Sequence, residues 1–547
     1  MRNLLKAGIF LIISLMSGKI FSQAISVNNP QLNFGNVFEN HPDSLPLTLT
    51  NTLSRTVTIT GFHFYDTYGS PAFSTSFSWF TIPAGGSTIV YIKFSPRHNI
   101  YHNSEVVIEN DGLQGYISVD LTGQGKYSNH YYDLTENLSE ENLKTSINLI
   151  TGNGYVSLGY NVARDSMFMS FDNKKVNGMG ASQNTLECIY TGREAVGYTD
   201  RTDCQNNFAF NTEHTFPQSL FTSMEPMKSD LHHLYPTDNV ANNQRGDNPF
   251  GVVANPTWTV GGSKAISNLF EPRDEQKGRA ARSLLYFVLR YQNYNNFINS
   301  QEAILRTWHT AFPPTTNEKI RNNAIFSLQH NRNPFVDYPV FIERIQSFAS
   351  TSSAPIISSL NIPEDTIVYG TIQTGVPVTF NFVIVNNGNQ SINLSNFNLT
   401  HSSELTFVAG GSNNTLSPGE SQAVKISCTT LSSDSIRAFL SFNTTATGLF
   451  YVSVPIFVND LLVNNVDNIF SNVSVTPNPA HDQLHIKFTK FFSYSDWALF
   501  DIRGKKISSG KVSGIDTIIG LEGVNAGVYI LKLNSASGNW NTKVLIY

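Results

Sequence analysis

Two regions of the chain alternate apolar and polar residues with a period of two. Residues 24–126 contain the runs LPLTLTNT, TVTITGFHF, STIVYIKFSP and YISVDLTGQG, and residues 354–460 contain VTFNFVIVNNG, QAVKISCTT and AFLSFNT. Because successive side chains of a strand point to opposite faces, these runs predict antiparallel strands that each bury one face. We predict a β-sandwich in each region. The two are interpreted as distant repeats, since SPGESQAVKI in the second takes the place of IPAGGSTIVYI in the first.

The region between the sandwiches, residues 127–350, changes to helical periodicity. The segments SEENLKTSINLIT and EQKGRAARSLLYFVLRYQN place apolar residues at helical spacing, and Ser139 is a candidate N-cap for the first. A third helix is predicted to begin in the run from Pro314 to Ala324. We therefore predict a mixed α and β domain here.

Both ends of the chain carry features of export. Residues 1–23 have a basic start, an apolar run and small residues after it, which indicates a signal peptide. Residues 461–470 are predicted to be a linker, and residues 471–547 a last small β domain. No later stretch reaches the ~18 apolar residues of a membrane helix, so we expect a mature protein that is soluble, without a membrane span and outside the cytoplasm.

Composition narrows the class of protein. A length of 547 residues predicts several domains, and 40% hydrophobic residues is typical of globular protein. The net charge of −5 excludes a general coat of positive charge but permits a local basic cleft. Cys188 and Cys204 could form a disulfide or remain two thiols, and Cys428 is expected to be buried in a strand.

The stretch from Phe210 to Phe250 concentrates the candidate chemistry. It contains Glu213 and His214 side by side, and later VANNQRG, which predicts a short helix that stops at Gly246. A strand, a loop, a second strand and this helix would place His214 opposite Asn242. Histidine can deprotonate water near neutral pH, and carboxylate and amide oxygens suit magnesium. The pattern therefore indicates phosphodiester hydrolysis, whereas the HExxH and CxxC patterns of zinc sites are absent from the sequence.

Four motifs across residues ~135–347 resemble the endonuclease I family of secreted nucleases. They are NTEHTFPQS, MKSDLHHLYPTDNVANNQRGDNPFG, FEPRDEQKGRAARSLLYFVLRY and HNRNPFVDYPVFIERI, in that order. The resemblance implies a ββα-metal core. It also implies magnesium-dependent hydrolysis of DNA, and often RNA, with little sequence preference, leaving 5′-phosphate and 3′-hydroxyl ends. Manganese or calcium are alternative cations.

The resemblance also assigns roles within the stretch. The family's metal-binding glutamate falls on Glu213, its general base on His214, and its metal-binding asparagine on Asn242, with the adjacent Asn243 as the alternative. The remaining polar residues of the DLHHL motif are interpreted as supporting or structural residues: Asp230, His232 and His233.

The family's phosphate-binding arginine has no counterpart between these motifs. The segment SLFTSMEPMK contains no arginine, so Lys228 or Arg245 is the candidate substitute. Further along, Arg279 and Arg282 lie on a predicted helix and are candidates for contacts to nucleic-acid phosphates. The alternative is a solvated helix face paired with nearby acidic residues.

The flanking regions resemble other families. LNFGNV, YIKFSP and LTGQG are similar to the Hydin-like immunoglobulin domains of secreted bacterial proteins. VSVTPNPAHDQLHIKF, WALFDIRGKKI, NAGVYILKL and TKVLIY resemble the type A sorting domain of type IX secretion, which implies the type IX machinery as a partner.

The predicted fold class is multidomain, with an α+β nuclease domain between immunoglobulin-like sandwiches and a small C-terminal β-sandwich. The predicted function is a secreted non-specific endonuclease that acts on nucleic acid. The alternatives are a surface adhesive protein with an inactive nuclease fold and a nuclease restricted to RNA.

Overall fold

A computed structural model of the chain describes residues 24–66, 72–111, 116–292, 294–363, 366–459, 473–476, 480–488, 494–501, 505–512, 516–525, 527–535 and 538–546. The predicted signal peptide at residues 1–23 and the linker at residues 461–470 lie outside these ranges. Among the described residues, no helix has the length and apolar character needed to cross a membrane.

Residues 24–126 form the first predicted sandwich. Its strands are β1 (Ile25–Val27), β2 (Gln31–Phe38), β3 (Asp43–Asn51), β4 (Val57–Asp66), β5 (Phe73–Ser74), β6 (Phe80–Ile82), β7 (Ser87–Phe94), β8 (Tyr101–Asn110) and β9 (Tyr116–Lys126). Strand β7 shows the period-two pattern, because Val90, Ile92 and Phe94 are buried while Ile89 and Tyr91 between them are exposed. The sheets have the orders β1-β3-β7-β5 and β2-β9-β8-β4-β6, and β2 pairs with β9 in parallel.

The middle region, residues 127–350, combines helices with short strands. The helices are α1 (Glu140–Gly152), α2 (Tyr160–Ser166), α3 (Arg201–Asn207), α4 (Asn239–Arg245), α5 (Asp274–Tyr291), α6 (Glu302–Ala311), α7 (Thr316–Gln329) and α8 (Pro334–Asp337). The strands are β10 (Thr185–Glu187), β11 (Glu194–Val196), β12 (Phe210–His214), β13 (Leu234–Asp238), β14 (Trp258–Val260), β15 (Ser263–Ile266) and β16 (Leu269–Glu271). Helix α5 is central, because its residues 284–289 are all buried in the core.

The three predicted helices are confirmed as α1, α5 and α7. Ser139 occupies the N-cap position of α1, but its side chain makes no capping hydrogen bond. Helix α7 continues to Gln329, beyond the Ala324 limit of the predicted run.

The second sandwich repeats the topology of the first. Its strands are β17 (Leu360–Asn361), β18 (Ile367–Gly370), β19 (Val378–Asn386), β20 (Ile392–Leu399), β21 (Leu405–Ala409), β22 (Asn414–Leu416), β23 (Ser421–Cys428), β24 (Ile436–Thr444) and β25 (Tyr451–Val458). The orders β17-β19-β23-β21 and β18-β25-β24-β20-β22 match the first sandwich strand for strand, and β18 pairs with β25 in parallel. The predicted repeat is thereby confirmed, with β23 in the place of β7. Cys428 is buried in β23, as predicted.

The C-terminal region contains two further sheets, β26-β27-β30 and β29-β28-β31-β32. Their strands are β26 (Val473–Thr476), β27 (Gln483–Phe488), β28 (Tyr494–Asp501), β29 (Lys506–Lys511), β30 (Asp516–Gly520), β31 (Gly527–Ser535) and β32 (Gly538–Ile546). Apolar residues from both sheets, including Leu484, Leu499 and Leu531, share one core.

The first sandwich contacts the end of the middle region directly. The Tyr338 hydroxyl donates to Glu39 Oε1 of the sandwich at 2.9 Å. Buried Arg344 donates to Asn99 Oδ1 of the sandwich at 2.6 Å. These two hydrogen bonds join the sandwich to the middle region.

Candidate active site

A β-hairpin followed by a short helix forms the frame of the site. Strands β12 and β13 pair antiparallel, with His214 opposite Leu234 and Glu213 opposite Tyr235. The Asp238 carboxylate caps α4 by accepting a hydrogen bond from the Ala241 N–H at 2.8 Å. Gly246 ends the helix with a φ of 49°, a conformation that glycine adopts without a steric penalty. The predicted order of strand, loop, strand and short helix is confirmed.

Glu213 is buried, and its carboxylate has few partners. The Tyr190 hydroxyl donates to Oε1 at 2.7 Å, and Arg245 Nε lies 3.4 Å from the same oxygen. Burial raises the pKa of Glu213, and the positive charge of Arg245 opposes that rise. Arg245 Nε is itself buried without a hydrogen-bond partner. A further cation at this carboxylate would therefore stabilise its ionised form.

His214 is the last residue of β12 and is held as a neutral imidazole. Burial moves its pKa well below 6.5, and the neighbouring His233 ring lowers it further. Nε2 lies 3.1 Å from the carbonyl oxygen of Lys228. A carbonyl oxygen can only accept, so Nε2 carries the proton. The lone pair of the neutral ring is then on Nδ1, which makes no hydrogen bond to a described residue.

Asn242 and Asn243 differ in their position on α4. Asn242 is half-buried, whereas Asn243 is exposed. With about 100° of rotation per helical residue, Asn242 lies about 60° from the Arg245 direction and Asn243 about 160° from it. Because Arg245 points to Glu213, the helix brings Asn242 to the Glu213 side. This geometry favours Asn242 over Asn243 as the partner of Glu213.

The remaining polar residues of the DLHHL motif form a buried network. Asp230 Oδ2 accepts hydrogen bonds from the hydroxyls of Tyr286 and Tyr291, both at 2.8 Å. Its Oδ1 accepts from the His232 backbone N–H and the Gln329 amide, both at 3.1 Å. Asp230 thereby ties the turn before β13 to α5 and α7.

Both histidines of the motif are also fixed by backbone carbonyls. His232 Nε2 donates to the Asn331 carbonyl oxygen at 3.1 Å and His233 Nε2 to that of Met227 at 2.6 Å. Burial lowers the pKa of His232 to about 4. These contacts support a structural role for the two rings.

The structure removes two cations from the predicted phosphate contacts. Arg245 is fully buried and donates to the carbonyl oxygens of Thr215, Gly246 and Asn248. Arg282 is 2% exposed and forms a paired contact with the Glu318 carboxylate at 2.6 and 2.7 Å. Both guanidinium groups donate to interior oxygens, so these donors are already taken and are not available to a phosphate. Lys228 and Arg279 remain half-buried at the surface.

A cationic cluster beside His214 contains the predicted Lys228 and also Arg164, which was not predicted. The Tyr160 ring lies 5.5 Å from the His214 ring, centroid to centroid. Arg164 lies over the same tyrosine at 4.1 Å and Lys228 at 4.8 Å. Arg164 Nε is buried and has no hydrogen-bond partner. The two cations therefore lie beside the candidate general base. The sequence gives little indication of this proximity, because Arg164 lies 50 residues before His214.

The donor set fits a hard divalent cation. Glu213 supplies carboxylate oxygens and Asn242 a carboxamide oxygen, and neither the Asn242 side chain nor Glu213 Oε2 makes a hydrogen bond to a described residue. Among the residues that the structure describes, no group of three or more His, Cys, Asp or Glu side chains could hold a metal. Glu213 and Asn242 remain the pair predicted to hold a cation.

The two cysteines of this region are free thiols. Cys188 and Cys204 are both buried and form no disulfide. Cys188 Sγ accepts from the Asp238 backbone N–H at 3.2 Å, so it belongs to the hairpin packing. Burial raises the pKa of Cys204 to about 12, which keeps its thiol protonated.

Three family models match separate parts of the chain. Residues 136–340 match Endonuclease I, residues 23–125 match the HYDIN/CFA65/VesB-like, Ig-like domain, and residues 474–547 match the secretion system C-terminal sorting domain. The matches agree with the resemblances seen in the sequence motifs.

Curated relatives align with the nuclease region. An extracellular ribonuclease of Bacillus subtilis (strain 168) is 25% identical over 233 residues, which is 39% of this chain and 77% of the relative. An extracellular ribonuclease of Bacillus amyloliquefaciens is 27% identical over 236 residues, with the same shares. Endonuclease-1 of Buchnera aphidicola subsp. Acyrthosiphon pisum (strain APS) is 30% identical over 115 residues, 20% of this chain and 45% of the relative.

Together the matches identify the parts of the chain. The sorting domain and the extracellular relatives indicate a secreted or cell-surface protein. The chain is therefore a multidomain protein in which a region that matches the Endonuclease I family model lies between a region that matches an immunoglobulin-like domain and one that matches a secretion sorting domain.

Proposed function

We propose that the protein is a metal-dependent endonuclease that hydrolyses phosphodiester bonds in DNA and RNA without sequence preference. One observation carries the proposal. His214 is a neutral imidazole whose Nε2 proton is committed to the Lys228 carbonyl oxygen, so Nδ1 is free to take a proton. A general base needs this combination of protonation state and a free lone pair.

The proposed reaction begins with proton transfer from water to His214 Nδ1. The hydroxide formed attacks phosphorus in line, and the bond to the 3′-oxygen breaks. The 3′-oxygen takes a proton from solvent water, which gives 5′-phosphate and 3′-hydroxyl ends. The Lys228 carbonyl stabilises the imidazolium, because the Nε2 proton already points to it. Lys228 and Arg164 beside Tyr160 supply positive charge for the phosphate oxygens.

Glu213 and Asn242 would hold the cation in this proposal. Their oxygens suit Mg²⁺, with Mn²⁺ or Ca²⁺ as alternatives. When bound, the cation supplies charge stabilisation for the phosphate and the leaving oxygen. Glu213 is prepared for it, because Arg245 and Tyr190 occupy one carboxylate oxygen and leave the other without a hydrogen bond to a described residue.

The substrate range rests on the relatives. Two of the relatives are named extracellular ribonuclease, which supports RNA as a substrate. DNA is proposed from the resemblance to the endonuclease I family. The direct test digests supercoiled plasmid and a structured RNA in parallel with the full-length protein, in Mg²⁺ and in EDTA. We expect both polymers to be cleaved in Mg²⁺ and neither in EDTA, with end-labelling showing 5′-phosphates.

Each alternative has its own outcome in this test. Cleavage of RNA without plasmid nicking would restrict the enzyme to RNA. No cleavage of either polymer would support an adhesive protein with an inactive nuclease fold. A 3′-phosphate on the products would contradict the proposed direction of bond breakage.

A further inference from the structure

A cavity opens beside the hairpin, lined in part by residues of β13, α5 and α7. Its volume is about 270 Å³. Tyr235 of β13 lines it, and Tyr235 is the register partner of Glu213 across the hairpin. The cavity therefore adjoins the strand pair that carries the candidate active site, while its lining residues take no part in the proposed proton transfer.

Gln276 in the first turn of α5 lines this cavity, and its carboxamide makes no hydrogen bond to a described residue. Its side chain is 1% exposed, yet Oε1 and Nε2 are both buried without a hydrogen-bond partner. Burying a polar group without a hydrogen-bond partner costs free energy. A ligand that supplies an acceptor and a donor side by side would recover this free energy by pairing with both atoms. The edge of a nucleobase offers this pair of groups to a carboxamide.

The charges around the cavity leave one cation uncompensated. Its lining includes four cations, Lys174, Arg273, Arg279 and Arg321, and three carboxylates, Asp172, Glu187 and Glu275, so the net charge is +1. The carboxylates pair with Lys174, Arg273 and Arg321 at 3.2 Å or less. Arg279 makes no hydrogen bond or ion pair to a described residue. It is thus available for an anion.

We propose that this cavity binds a nucleotide, with the base edge on the Gln276 carboxamide and the phosphate on Arg279. An arginine fork matches a phosphate group and a carboxamide matches a base edge, so the two side chains together select a nucleotide over a bare anion. The inference rests on the proposed function for the source of the ligand, since a nuclease acts where nucleotides are plentiful. Binding at this cavity requires no cleavage.

The test is calorimetric titration of the full-length protein, in EDTA, with four 5′-mononucleotides and separately with inorganic phosphate. We expect at least one mononucleotide to bind at least tenfold more tightly than phosphate, as a good base contact adds about that factor. Gln276→Leu should weaken nucleotide binding by about tenfold. Arg279→Ala should weaken it by about as much. Lys277→Ala is the matched control, because Lys277 pairs with Glu271 and Asp274, lies outside the cavity lining and should change affinity less than about twofold.

Several results would overturn the proposal. Absence of mononucleotide binding would do so. The proposal would also fail if phosphate bound as tightly as the nucleotides and Gln276→Leu left nucleotide affinity unchanged. The cavity would then be a site for anions only. If Gln276→Leu does not fold by circular dichroism, Gln276→Met serves in its place. An inactive nuclease that still binds nucleotides here would contradict the proposed function and leave this inference standing, so the two failures are distinguishable.

Discussion

Exchange of Glu213 for glutamine separates its two electrostatic roles. In Glu213→Gln the side chain keeps its shape but loses its charge. At an effective dielectric constant of about 20, unit charges separated by the 3.4 Å between Arg245 Nε and Glu213 Oε1 attract by about 5 kcal/mol. Loss of this attraction is opposed by removal of the burial penalty of the carboxylate, which is several kcal/mol. We therefore expect the variant in EDTA to be within about 2 kcal/mol of the wild type.

Magnesium should then discriminate between the two proteins. At about 100 times its dissociation constant, a cation that binds the folded state adds about 2.7 kcal/mol. Hydrogen–deuterium exchange of the full-length protein, followed in peptides that cover residues 210–250, measures this stabilisation at the site itself. Wild-type peptides should exchange up to about a hundredfold more slowly in Mg²⁺ than in EDTA. Glu213→Gln peptides should show no Mg²⁺ effect. Equal protection of both proteins by Mg²⁺ would refute Glu213 as the cation ligand.

Three further predictions follow from the same geometry. Arg164→Ala should lower kcat/KM on nucleic acid by about 10- to 100-fold, because a phosphate contact is lost. The control variant Lys319→Ala, at an exposed lysine, should leave kcat/KM unchanged. Equal kcat/KM values for the two variants would contradict the role of Arg164. Asp230→Ala should destabilise the nuclease domain by about 3–5 kcal/mol in denaturant unfolding, because four buried donors lose their acceptor, against less than about 1 kcal/mol for exposed Asp165→Ala. Because the pKa of His214 is lowered in the folded protein, the imidazole stays neutral as the pH falls below 6.5. It becomes protonated only when the pH reaches this lowered pKa. The cleavage rate at saturating Mg²⁺ should therefore stay level from about pH 7.5 to 6, and a midpoint near 6.5 would contradict the buried base.

The sandwiches were predictable because their signal is local. Each strand buries one face, so alternation such as that of Ser87–Phe94 appears directly in the sequence, and the repeated phrase located its equivalent at Ser421–Cys428. The short helix α4 was predictable for the same reason, since Gly246 marks its end locally.

The errors concern contacts between distant parts of the chain. Arg282 was a candidate for phosphate contacts because it lies on a predicted helix, but its partner Glu318 is 36 residues away on another helix. Arg245 is buried by the carbonyl oxygens of three loop residues, which no spacing rule reveals. Arg164 was missed because its proximity to His214 depends on how α2 packs beside the hairpin.

The central claim is that His214 is the general base, and its removal tests this claim most directly. The measurement is the single-turnover cleavage rate of one DNA and one RNA substrate in saturating Mg²⁺, for the wild type and for His214→Ala. His130→Ala is the control, because His130 is an exposed histidine of the same region. The account predicts a loss of about 10²- to 10⁴-fold for His214→Ala and no change for His130→Ala. Equal rates for His214→Ala and wild type would contradict it.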